Sequence, residues 1–209
     1  MTNRYCKVVW TGAAIVAAGI LIGAQPAAAP AVPLGIGTAK LTIAGTSNIH
    51  DYTASTTQVR VTRAQLGTVP AGADLFESAL KPGAVEAFDV TIPVASLTSD
   101  KDGLNKNMHN ALKATEHPEI TFKLLRLENR PAPATGLRAI GVLRIAGVDR
   151  QVAIDIATER KDAVLVVRGT LALLMTDWGI APPKALMGTI KTDPKVTITF
   201  EVGVAANLT

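Results

Sequence analysis

A strand with one greasy face and one wet face closes this chain, and it narrows the choice of fold more than any other feature. Val196, Ile198, Phe200 and Val202 alternate with Lys195, Thr197, Thr199 and Glu201. That period of two belongs to a sheet that is apolar on one side only. Similar runs recur upstream. Leu41, Ile43, Ile49, Val59 and Val61 share one parity, and Phe88, Val90, Ile92 and Val94 share another. Ile120–Leu127, Leu137–Ile145, Val152–Ile156 and Val164–Met175 follow, with Gly, Pro, Asn and Asp between them. Turns are expected at Gly147-Val148-Asp149 and at Glu159–Asp162. Gly45 suggests a bend or bulge, and Pro93 a strand end or an edge.

One helix stands apart from this pattern. Ser99 and Asp102 approximate a capping box, with Asp in place of Glu or Gln. Leu104, Met108 and Leu112 repeat every four residues, and Pro118 stops the segment. The spacing predicts a helix over Asp102–Ala114, and Asp74–Leu80 could form a short helical turn. Helical signals do not alternate with the strands, which excludes βαβ units. About eight strands and one inserted helix give an all-β chain, either an antiparallel β-barrel or a sandwich. A barrel of that size either fills its interior with side chains or holds one small ligand, and the pattern leaves both open.

The chain's 209 residues suffice for one domain and a targeting segment. Hydrophobic residues make up 48% and charged residues 18%, a balance that excludes a disordered chain. Arg4 and Lys7 precede an uncharged apolar stretch, Val8–Ala24, and then the small residues AQPAAAPAV. This reads as a secretory leader with cleavage after Ala31, since proline disfavours the Ala29–Pro30 bond. An uncleaved anchor is the alternative, although the stretch is short for a span of about 20 residues. The expected organisation is a leader over 1–31, a linker over 32–40 and a domain over 41–209, in the periplasm or secreted. Cys6, the single cysteine, would leave with the leader, so the mature chain would have no disulfide or thiol chemistry. The remaining nineteen basic residues face seventeen acidic ones. With only 4% aromatic residues, a nucleic-acid partner is disfavoured.

Few residues offer chemistry. No Gly-x-Ser-x-Gly element and no Gly-rich phosphate loop occurs. His109 and His117 are eight residues apart, not the i, i+4 spacing that sets two imidazoles on one helix face. No metal site is expected. Asp100 and Asp102 sit at a helix start, where the dipole favours negative charge. His50 lies beside Asp51, which could orient its ring. What remains is an apolar inventory: Met108, Leu112, Phe122, Leu173, Met175, Trp178, Leu186 and Met187. Methionine adapts to irregular ligands, and ligand sites are mostly apolar with a few polar anchors. These eight, with His50, are the candidate ligand-binding residues. Ordinary core packing is the competing account of each apolar one.

Four blocks, in order, resemble the YceI-like family. They are GTSNIHDY (Gly45–Tyr52), the long block from Val90 to Phe122, GVLRIAGVDRQVAIDI (Gly141–Ile156) and the closing segment from Gly169 to Val202 with its Trp-Gly-Ile break. The resemblance spans about Leu41 to Val202. Asn107–Leu112 departs from it, standing where many members carry a charged Arg-Asp-x-His-Leu stretch. The resemblance implies a lipocalin-like barrel that binds polyisoprenoid lipids without catalysis. The expected function is therefore binding or transport of a long isoprenoid, a polyprenol or a quinone tail. No cofactor is implied beyond such a bound lipid. A transient membrane contact and a homodimer through an edge strand are compatible with it. The rival readings are a packed structural envelope module and a lipid-acting enzyme using His50 and Asp51.

Overall fold

The computed structural model describes residues 34–70, 72–185 and 189–206. The expected leader, and Leu186 and Met187, lie outside them. Ten strands run through the described residues: β1 Leu34–Ser47, β2 Asp51–Thr56, β3 Arg60–Leu66, β4 Val85–Pro93, β5 Glu119–Asn129, β6 Leu137–Ile145, β7 Val148–Lys161, β8 Val164–Leu174, β9 Lys184–Ala185 and β10 Ile190–Ala206. Helix α1 covers Leu75–Ala79 and helix α2 covers Asp102–Ala111. Short 3-10 turns follow β4 and β8.

Nine strands form one antiparallel sheet in the order β2-β1-β10-β8-β7-β6-β5-β4-β3, and the two-residue β9 pairs with β10. The sheet curls into a half-barrel, with its apolar parity turned inward. The alternation seen at the C-terminus sets this up: Val196, Ile198, Phe200, Val202 and Val204 face the concave side from β10, which pairs with β1 on one flank and β8 on the other. Two register shifts keep the inward face apolar where the sequence changes parity. One lies between Ile36 and Thr38 of β1, so Leu34 and Leu41 both face inward. The other lies between Leu124 and Arg126 of β5. It turns Leu125 outward, 52% exposed, and keeps Leu124 and Leu127 inside.

The edges of the sheet are covered unequally. Ser55 of β2 exchanges backbone hydrogen bonds of 2.8 and 3.0 Å with Thr98 beyond the first 3-10 turn. Thr56 Oγ1 lies 2.8 Å from Ser96 Oγ in the same seam. At the other edge, β3 runs back past β1 without hydrogen-bonding to it among the described residues.

Three expectations need correction. The segment expected as a linker over 32–40 is, from Leu34 onward, the first half of β1. Its Gly and Ala residues pair with the end of β10, and tertiary pairing overrides weak local propensity. The β6–β7 turn is Ala146-Gly147, one step earlier than expected. Both residues have positive φ, 48° and 83°, as a two-residue hairpin of the matching twist requires. Ser99 is not the N-cap of α2; Lys101 is, without a capping side chain. Ser99 instead ties to the helix through Asn105, whose Oδ1 accepts from the Ser99 backbone N–H at 2.7 Å and from its hydroxyl at 2.9 Å.

Candidate functional site

The concave side of the sheet encloses a cavity of about 590 Å³. That volume falls among the sizes that hold a small organic ligand. Its walls are the inward rows of the strands. Leu41 and Ile43 come from β1, Phe88, Val90 and Ile92 from β4, and Ile120, Phe122, Leu124 and Leu127 from β5. Leu171 and Leu173 come from β8, and Ile198, Phe200 and Val202 from β10.

Two helices bound the cavity at opposite ends. At the far end α1 acts as a plug. Ala79 packs with Leu34, Leu66 and Val204, and Ala79 and Leu80 reach the lumen. Asp74 caps α1, accepting from the Phe76 and Glu77 amides at 3.0 Å each. Arg160 of β7 pairs with the same carboxylate and lies 5.4 Å from the centre of the Phe76 ring. The Glu77 amide first, then Arg160, hold the Asp74 carboxyl below its ordinary pKa.

At the near end α2 lies over the opening. It buries no residue completely and lays Leu104, Met108, Ala111 and Leu112 along the lumen. His109 anchors it: ring Nε2 donates to the Leu97 carbonyl at 2.8 Å. This end is the mouth, because the exposed lining residues His50, Lys101, Gly103, Asn107 and Lys184 all lie here. The lining at the α1 end has no exposed residue.

Three interior aromatic rings lie against glycines on neighbouring strands. A Cβ on Gly45 would come within 2.4 Å of the Tyr52 ring, one on Gly141 within 2.3 Å of the Phe122 ring, and one on Gly169 within 2.5 Å of the Phe200 ring. All three aromatics line the lumen. Each glycine gives a ring a recess in the wall, so the ring narrows the lumen less than it would over a side chain. Tyr52 is half-buried near the mouth. Burial first, and the neighbouring Asp193 carboxylate second, raise its phenol pKa above the ordinary value.

The predicted site residues separate into groups. Met108, Leu112, Phe122, Leu173, Met175 and His50 line the cavity. Trp178 does not. It is 4% exposed in the core behind the wall, where Nε1 donates to the Leu143 carbonyl at 3.2 Å. Leu186 and Met187 lie outside the described residues. His50 is exposed in the β1–β2 hairpin, where its amide donates to Ser47 Oγ at 3.2 Å. His117 packs against Gly147 outside the lumen. No group of three His, Cys, Asp or Glu side chains comes together to hold a metal among the described residues. Sequence reasoning missed the rows on β1, β4 and β10, although their inward parity marked them. It also missed Tyr52, whose signal was Gly45 across the hairpin.

A family model for the YceI-like domain matches residues 48–204. The chain belongs to the YceI-like family. Two solved structures share the fold of this YceI-like chain. BcnA from Burkholderia cenocepacia is 18% identical with a TM-score of 0.59, the match covering 80% of this chain and 96% of that one. A polyisoprenoid binding domain from Saccharophagus degradans, implicated in plant cell wall breakdown, is 15% identical with a TM-score of 0.53, covering 84% and 99%. No curated protein shows significant similarity to the sequence.

Proposed function

We propose that this YceI-like chain binds a long isoprenoid lipid in its lumen and carries it unaltered, in the periplasm or outside the cell after loss of its leader. The observation that carries the reading is an apolar lumen of about 590 Å³, exposed at one end and plugged at the other. Each buried CH2 unit contributes about 0.8 kcal/mol, so a branched hydrocarbon tail gains affinity along its length without specific polar contacts. Met108, Leu112, Phe122, Leu173 and Met175 would touch the tail, and His50 would stand at the rim. The likeness to a polyisoprenoid binding domain supports the same ligand class. A purely structural module would rest on a side-chain-filled interior, and the lumen argues against it. A hydrolase or isomerase would need His50 buried beside a second polar group, whereas His50 is exposed in a turn.

Native mass spectrometry of the protein purified from its own envelope tests the proposal, with the same sample then denatured. The expected result is a mass excess that disappears on denaturation and extracts as an isoprenoid. A bare polypeptide mass, unchanged after adding polyprenols or quinones, overturns it.

A further inference from the structure

Polarity is distributed unevenly along the lumen. The charged side chains among its lining residues, His50 apart, are Lys101 and Lys184, with no Asp or Glu. Both lysines are exposed at the mouth. Neither makes an ion pair among the described residues, where eight salt bridges engage other cations. The neutral polar groups Ser47, Asn107 and Thr192 line the same end. The opposite end, under α1, presents Leu34, Ala79, Leu165 and Val204. Asp100 and Asp102 flank Lys101 in sequence and Asp193 follows Thr192, yet none of the three lines the lumen.

We infer that the bound lipid carries an anionic head group of the phosphate type at the mouth, met by Lys101 and Lys184, with its tail running toward α1. This rests on the proposed lipid-binding function and specifies its ligand. An apolar chain gains most by filling the dry end. Both lysines are exposed and hydrated, so a neutral head would gain little from their charge. A phosphate oxygen gives each lysine a charge-assisted hydrogen bond, stronger than one between neutral groups. Lysine suits this role as a mobile point charge that follows a head group instead of fixing it in a fork.

Isothermal titration of the delipidated full chain separates the possibilities. The probes are geranylgeraniol, geranylgeranyl phosphate and inorganic phosphate at low salt. The phosphate lipid should bind about tenfold or more tightly than the alcohol, as one or two exposed charge-assisted contacts allow. That ratio should fall toward one in the Lys101→Gln, Lys184→Gln double variant and in high salt. It should persist in Lys161→Gln, a single-lysine control on the hairpin at the far end, where Lys161 pairs with Glu159. Inorganic phosphate alone should bind far more weakly than the lipid. Equal affinities for alcohol and phosphate lipid would overturn the head-group inference and leave lipid binding standing. So would a ratio that survives the double variant. Tight binding of inorganic phosphate would point to a free-anion site and overturn the assignment to a lipid. Failure of both lipids to bind would remove the proposed function itself.

Discussion

Phe200 lies directly opposite Gly169 across β10 and β8, and the pair illustrates how single residues set the bore of the lumen. An interior aromatic fills space, and a protein wall is packed too densely to absorb an added methyl freely. A Cβ at 169 would stand 2.5 Å from the Phe200 ring and 3.1 Å from Ile154 Cγ2. The ring must then swing off the wall into the lumen. Gly169→Ala is expected to fold, to lose about 1–3 kcal/mol through overpacking and to bind lipid more weakly. Denaturant titration and ligand titration of the same sample check both effects. A variant that binds at least as well as the parent would show that the ring has another way out. Trp178 supplies the contrasting residue. Trp178→Ala removes a buried ring and its hydrogen bond to the Leu143 carbonyl, which should cost about 3–5 kcal/mol. Because Trp178 stands behind the wall, the surviving folded fraction should keep most of its affinity.

The two helices are held by unlike means, and their responses should differ. The hold on α1 adds an electrostatic tie to the apolar packing of Phe76 and Ala79. Asp74 caps it and pairs with Arg160, and its pKa is lowered in the folded state. A lowered carboxyl stabilises the folded protein above its unfolded pKa of about 3.9 and loses that contribution as pH falls through the lower folded value. The plug should therefore loosen at strongly acidic pH, seen as faster amide exchange at Phe76–Ala79, and Asp74→Ala should show that exchange already at neutral pH. Exchange in the variant that still matches the parent at neutral pH would count against the capping role. The hold on α2 is the His109 ring hydrogen bond, the Asn105 amide tied to Ser99 and an apolar stripe. His109→Ala should remove about 1 kcal/mol and speed lipid release several-fold in a stopped-flow assay.

The same elements show what the sequence could and could not disclose. Strand parity was legible, because one face is buried and the period is two. The apolar face of β10 followed from it, although not that this face lines a lumen. The bulges that restore parity at Gly37 and Leu125 were not legible, because each depends on pairing with a distant strand. Nor was the pairing that makes residues 34–40 a strand. Trp178 looked like a pocket residue by composition. Its place was decided by a backbone carbonyl 35 positions away in sequence, which no local pattern records. Gly45, Gly141 and Gly169 were legible in principle, since a glycine inside a strand marks a close approach.

At the scale of the whole molecule, the lumen is a weakness as well as a site. Apolar side chains facing unfilled space forgo dispersion contacts that a packed core would have, so a tail that fills the space should stabilise the fold. Ligand that binds only the native state contributes RT ln(1 + [L]/Kd), about 2.7 kcal/mol at a hundredfold excess over Kd. For a domain of this size each kcal/mol moves Tm by about 2–4 °C. The melting temperature of delipidated protein should therefore rise by about 5–10 °C on saturation with geranylgeranyl phosphate. Leu171 lines the middle of the tunnel on β8, so Leu171→Trp should occupy the space with protein atoms. That variant should melt near or above the delipidated parent and show little further rise with lipid. A ligand-induced rise of equal size in parent and variant would place the lipid outside the lumen, and the barrel would have to be read as a support for a surface site.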